Sequence, residues 1–200
     1  MKSLLAIIFL AVILLGAWWL FFKTEKTESE PKQESIKIGK HTPEFNQSIS
    51  NAVDAYLSMK DAFVDADTFK VKNEGQNFMV IVDSIKLSDL EKEDSQIVMA
   101  ARQEISDIKA NAEAMLLENN ITEMRQDFRM VSENLYPFLK TIGYEGEKLY
   151  WQNCPMAFGE DKEGNWLSAT KEIINPYLGK NHPEYKSSML NCGEIKDTLK

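Results

Sequence analysis

The sequence predicts a mainly α fold: an up-down four-helix bundle with a short C-terminal β-hairpin and loop segment, preceded by an N-terminal transmembrane helix. Three observations lead there. An uninterrupted apolar run occupies residues 4–22. Apolar residues then recur at spacings of three and four through four successive stretches, joined by short polar connections that favour antiparallel neighbours. From residue 146 that period gives way to aromatic-rich, weakly alternating segments around a turn signal, the pattern of a hairpin.

The apolar run lies between Lys2 and Lys23. As a helix it nearly crosses a hydrocarbon layer of about 30 Å, with Trp18 and Trp19 placed for the interface. A cleaved signal peptide is the rival reading, but its best cleavage point, after Leu15-Gly16-Ala17, has a bulky residue where a small one is wanted. Residues 1–23 are therefore read as a membrane anchor, with the signal peptide as the alternative. Either reading sends the remainder to the periplasmic or extracytoplasmic side, as a single-pass cell-membrane protein or an exported one. Residues 24–42 are charged and nearly free of large apolar groups, which reads as a flexible linker. Residues 43–200 form the helical domain.

The first helix begins at Thr42-Pro43-Glu44, a capping residue followed by proline at the first helical position. Phe45, Ile49, Ala52, Tyr56, Met59 and Phe63 form its stripe. A second helix is expected over residues 68–87, with Val71, Phe78, Val82 and Ile85 inward. The third carries Ile97, Ala101, Ile105, Ile108, Ala112 and Met115. The fourth is capped by Asn120 with Glu123 three residues on, carries Met124, Phe128, Val131, Leu135, Phe138 and Ile142, and closes at Gly143. Pro137 falls inside it and predicts a kink or an early last turn. The methionines at 59, 79, 99, 115, 124 and 130 are assigned to core filling. The hairpin is expected from residues 148–153 and 165–167 around a turn at 159–164, and a short helix over 168–174 stops at Asn175-Pro176. His41, at the junction of linker and domain, is expected to be solvated.

The formal net charge is −8, so the surface repels phosphate backbones and nucleic acid is not an expected partner. Metal cations and basic proteins are not repelled. No CxxC pair, HExxH, GxSxG or phosphate-cradling glycine loop is present, so no catalytic residue is assigned and the protein is not expected to be an enzyme. A ligand pocket at Trp151 and Trp166 is the weakest idea, since paired aromatics are more often core.

The chemistry that remains lies between residues 149 and 193, which hold both cysteines, each with a methionine nearby. Soft ions such as Cu(I) prefer thiolate and thioether ligands. Cys154 with Met156, and Met189 with Cys192, offer two of each, and His182 is a possible auxiliary ligand. The competing reading is simpler: two cysteines in an exported chain form a disulfide.

Several strings resemble a known family. Val53 to Lys60 (VDAYLSMK) resembles its opening helix, and Met124 to Phe128 with Ser132, Leu135 and Tyr136 resembles its last. Cys154-Pro155-Met156-Ala157-Phe158, Trp166-Leu167-Ser168, Asn175-Pro176-Tyr177-Leu178-Gly179 and Met189-Leu190-Asn191-Cys192-Gly193 resemble its most distinctive signatures. This is the bacterial family of domain of unknown function 3347, which also occurs appended to periplasmic adaptor subunits of copper and silver efflux systems. The resemblance spans residues 45–198 and implies a membrane-tethered extracytoplasmic protein. That protein would bind Cu(I) through Cys154, Met156, Met189 and Cys192, for buffering or hand-over to an envelope efflux complex. His182 lies in a stretch, residues 180–187, that some relatives shorten, so the resemblance does not extend to it. The alternative is a disulfide-stapled helical interaction module of an envelope complex, with no metal.

Overall fold

The computed structural model describes residues 40–200. The transmembrane helix expected over residues 4–22 lies outside them, as does most of the expected linker. Among the described residues no helix is long and apolar enough to cross a membrane. Over those residues the fold is mainly helical, with four α-helices and a small three-stranded sheet rather than a lone hairpin. The membrane partner and the single-pass location are not carried forward.

Helix α1 (Pro43–Asp65) starts where Thr42 Oγ1 accepts the Phe45 N–H at 3.2 Å. All six stripe residues, from Phe45 to Phe63, are buried. It ends in a Schellman turn: Ala66 takes a left-handed φ of 57°, its N–H donates to Phe63 O, and the Asp67 N–H donates to Ala62 O. Asp67 then caps α2 (Thr68–Asp83) by accepting the Lys70 N–H at 2.9 Å. That helix stops short of residue 87, and a 3₁₀ turn (Leu87–Lys92) follows, burying Leu90. Helix α3 (Ser95–Leu117) is capped by Asp94, and α4 (Ile121–Thr141) by Asn120, which accepts from the Thr122 and Glu123 N–H groups. Pro137 does not end α4 early; the helix runs to Thr141, and Gly143 and Tyr144 close it with N–H bonds to Lys140 O and Leu139 O. Consecutive helices pack on one another. Met59, Met115 and Met124 fill the core as expected, whereas Met99 is exposed.

His41 is not solvated. Its side chain is buried, Nε2 donates to Ile142 O at 2.5 Å, and its ring lies 4.7 Å from that of Phe45. The Thr42 N–H donates to Asp89 at 3.0 Å. Together these contacts tie the start of α1 to the 3₁₀ turn and to the end of α4.

The expected hairpin forms two strands of a three-stranded sheet. Strands β1 (Leu149–Cys154) and β2 (Gly164–Ser168) pair antiparallel, with Trp151 opposite Leu167 and Cys154 opposite Gly164. A third strand, β3 (Glu194–Leu199), pairs antiparallel on the other side of β1 and gives the order β2-β1-β3. No helix forms over residues 168–174. Two of that segment's carbonyls, Thr170 O and Glu172 O, instead accept from Gln152 Nε2 of β1.

Strand β2 is an edge, and its seam with the helices is closed by a buried relay. The Leu167 N–H donates to Tyr56 Oη at 3.1 Å, Tyr56 Oη to Ser132 Oγ at 2.7 Å, and Ser132 Oγ to Phe128 O at 3.0 Å. Each hydroxyl of the relay both accepts and donates, whereas the buried Trp166 Nε1 on the same strand has no partner among the described residues. Burial raises the Tyr56 pKa and keeps the phenol neutral. Tyr56→Phe strands the Leu167 N–H in the interior and is expected to cost about 1–3 kcal/mol in urea unfolding, with the helical content unchanged.

Candidate functional site

The residues that suggested soft-metal chemistry are brought together only in part. Cys154 ends β1, and Cys192 lies two residues before β3. Pairing of Asn153 with Glu194 across the β1–β3 ladder brings the two cysteine Cα atoms to 5.7 Å, and their sulfurs form a disulfide. Both thiolates the metal reading required are thus consumed. Met156 is exposed, while Met189 is half-buried against the core. His182 uses Nδ1 to accept the Glu184 and Tyr185 N–H groups, both at 3.3 Å, and stacks on the Tyr185 ring. Among the described residues no group of three or more His, Cys, Asp or Glu side chains is arranged to hold a metal ion. With both thiols joined in the disulfide, the two-thiolate, two-thioether donor set read from the sequence is not present. The assignments of Cu(I) as cofactor and of a metal ion as partner are corrected accordingly, and Cys154 and Cys192 are bonded to each other.

What the cysteine-bearing segment does instead is fold a loop tightly onto the helices. Its centre is Asn175, fully buried. The Asn175 Oδ1 accepts from the Tyr177 and Leu178 N–H groups at 2.8 and 3.0 Å, an Asx turn. Its Nδ2 donates to Cys192 O at 2.9 Å, and its N–H to Leu190 O at 2.8 Å. One side chain therefore ties the Asn175-Pro176-Tyr177-Leu178-Gly179 string to the Met189-Leu190-Asn191-Cys192-Gly193 string, which sequence alone left as unrelated signatures. Tyr177 is buried, with its hydroxyl donating to Asn165 O. Gly193, at φ +144°, sits where a Cβ would come within 2.7 Å of Asn153 O. Asn191 Nδ2 donates to Ile173 O at 2.7 Å. Trp166 is wholly buried and Trp151 stacks on Tyr136 at 4.3 Å, so neither opens a pocket.

The same loop caps the C-terminal end of α1, whose last carbonyls have no partner within the helix. Val64 O accepts the Lys180 N–H at 2.8 Å, and Asp65 O accepts Asn181 Nδ2 at 3.1 Å. Lys180 Nζ pairs with the Asp65 carboxylate at 2.7 Å. Gly179 is required for this approach: it has φ +54°, and a Cβ there would lie 2.8 Å from Val64 O.

Arg125, which sequence reading passed over, completes the cap. It is 2% exposed; Nη2 donates to Phe63 O and Nε to Pro176 O, both at 3.2 Å. Burial lowers its pKa to about 10, which still leaves it charged at neutral pH. Arg125 also lines a cavity of about 220 Å³ together with Thr122, Phe158, Tyr177, His182 and Tyr185. Burial, and then the charge of Arg125, hold the His182 pKa below its usual value despite Glu184. The sequence signal for Arg125 was its place on a helical face: Ile121, Arg125, Phe128, Ser132 and Leu135 follow at spacings of 4, 3, 4 and 3, flanking the recognised stripe.

Residues 52–146 match the model of a family described as a protein of unknown function, DUF3347. The matched part comprises most of the helical bundle and stops before β1, so the disulfide-bearing segment lies beyond it. No curated protein and no solved structure matches the chain. The expected link to efflux adaptor subunits finds no support in these comparisons.

Proposed function

We propose that this chain, which carries a DUF3347 domain over residues 52–146, is a disulfide-stapled helical interaction module that binds a partner and catalyses no reaction. The observation that carries the reading is the Cys154–Cys192 bridge. It locks the 38-residue separation between the end of β1 and the start of β3 and removes the only thiols of the chain from other chemistry. Such a bridge persists in an oxidising compartment. Supporting it, the hydrogen bonds of Asn175, Gln152 and Asn191 hold the backbone of the stapled loop, so the surface it presents is preorganised and little entropy is lost on binding.

The test is thermal unfolding of the full chain with and without reductant, each in the presence of Cu(I) or of a strong chelator. The expected result is a lower Tm on reduction, and in the oxidised protein a Tm that neither Cu(I) nor chelator moves. A Tm of the oxidised protein that rises with Cu(I) and falls with chelator would overturn the proposal.

A further inference from the structure

A charged side chain taken out of water is costly unless its charge is met. Arg125 is nearly fully buried, yet no carboxylate of the described residues forms an ion pair with it. Its two hydrogen bonds go to carbonyls, Phe63 O and Pro176 O. The negative end of the α1 dipole, where Phe63 lies, compensates the charge only in part. Nη1 has no hydrogen-bond partner among the described residues, and the side chain lines the cavity.

The remainder of that cavity suits an anion with an apolar body. Thr122 brings the first turn of α4, the positive end of a 21-residue helix, to one wall. Phe158 and Tyr185 supply aromatic surface on the others. At about 220 Å³ the space is smaller than the roughly 300–1,000 Å³ of pockets for drug-sized ligands, so it takes one small group. A guanidinium edge presents paired donors in one plane, which matches a carboxylate. Glu184, which also lines the cleft, opposes any anion and opposes a doubly charged phosphate more strongly than a monocarboxylate.

We propose that the cleft over Arg125, between the first turn of α4 and the stapled loop, binds a monocarboxylate bearing a small apolar or aromatic group, with the guanidinium of Arg125 as its counter-ion. The inference deepens the interaction reading by naming the chemistry recognised, and rests on it in treating the domain as a binder. Two sources carry that chemistry, a free small acid or the terminal carboxylate of a partner chain.

The experiment is calorimetric titration of the full-length chain, in a preparation checked to contain no free thiol. The probes are benzoate, its uncharged counterpart benzamide, and the tripeptide glycyl-glycyl-phenylalanine with a free or an amidated C-terminus. Saturable one-to-one binding of benzoate without binding of benzamide is expected. Arg125→Lys, which keeps the charge and loses the planar fork, weakens it by about tenfold or more. Thr122→Glu guards against misfolding, because acidic residues are favourable in a first helical turn; it places a like charge on the wall and also weakens binding by about tenfold or more. A free-terminus tripeptide that binds more tightly than benzoate, with an inert amide, assigns the site to a chain terminus; otherwise the ligand is a free small acid. Equal binding of benzoate and benzamide, no saturable binding below about 50 mM, or unchanged binding by Thr122→Glu overturns the proposal. Because the thiols are counted separately, that failure leaves the staple standing.

Discussion

Replacing Cys154 and Cys192 together by alanine lowers the unfolding free energy by about 2–5 kcal/mol. The bridge spans a sequence separation of 38, and the chain-entropy account of a loop that long gives roughly 4 kcal/mol at 25 °C. Alanine occupies the fully buried Cys154 site without leaving a polar atom, so the loss reports the cross-link rather than a new defect. It is expected to be uneven. The helices hold one another through their own stripes, whereas the loop depends on Asn175 reaching Cys192 O and on the β1–β3 ladder. Amide exchange should therefore accelerate first at Tyr177, Leu178 and Leu190, with α1 and α4 least affected. A double mutant as stable as the parent, with those amides still protected, would show that the bridge is incidental to the fold.

Phe128→Ala is expected to cost about 3–5 kcal/mol, or on the order of 10 °C in Tm for a chain of this size. The Phe128 ring is wholly buried, stacked on Tyr56 at 5.2 Å and lying 4.6 Å from Phe63 and 6.0 Å from Tyr177. One side chain thus touches α1 and the stapled loop from its seat on α4. The cavity left behind is walled by rings that are themselves pinned: Tyr56 by its relay and Tyr177 by Asn165. Collapse into the space is restricted, which places the cost toward the upper end. Unlike loss of the disulfide, this defect should weaken amide protection in α1, α4 and the loop together. Thermal and urea unfolding of the variant, read by far-ultraviolet circular dichroism, measures it.

The helices were legible because a buried stripe needs the three- and four-residue spacing that Phe45 to Phe63 and Met124 to Ile142 display. Strand β3 was not. Only Leu199 of its six residues is buried, so the apolar alternation that reveals a strand is missing, and its pairing is imposed by β1. The polar members of the core were hidden for the opposite reason. Arg125, Ser132 and His41 look like solvated residues by type, and only the tertiary positions of Phe63 O, Tyr56 and Ile142 O give them partners. The cysteines illustrate an ambiguity that spacing cannot resolve, because a thiolate pair for Cu(I) and a disulfide require the same approach of two chain segments. The ladder register that joins Asn153 to Glu194 decides it, and the spacing of Cys154 and Cys192 does not reveal that register. The apolar run at residues 4–22 shaped the sequence-based account of location, and it lies outside the described residues.

The most direct test of the stapled-module account is a count of free thiols in the protein as isolated under non-reducing conditions, unfolded in denaturant so that the buried Cys154 is reachable. The account predicts no free thiol, with both appearing after reduction and a linked pair of peptides carrying Cys154 and Cys192 in a non-reducing digest. Two free thiols in freshly isolated, correctly folded protein would contradict it.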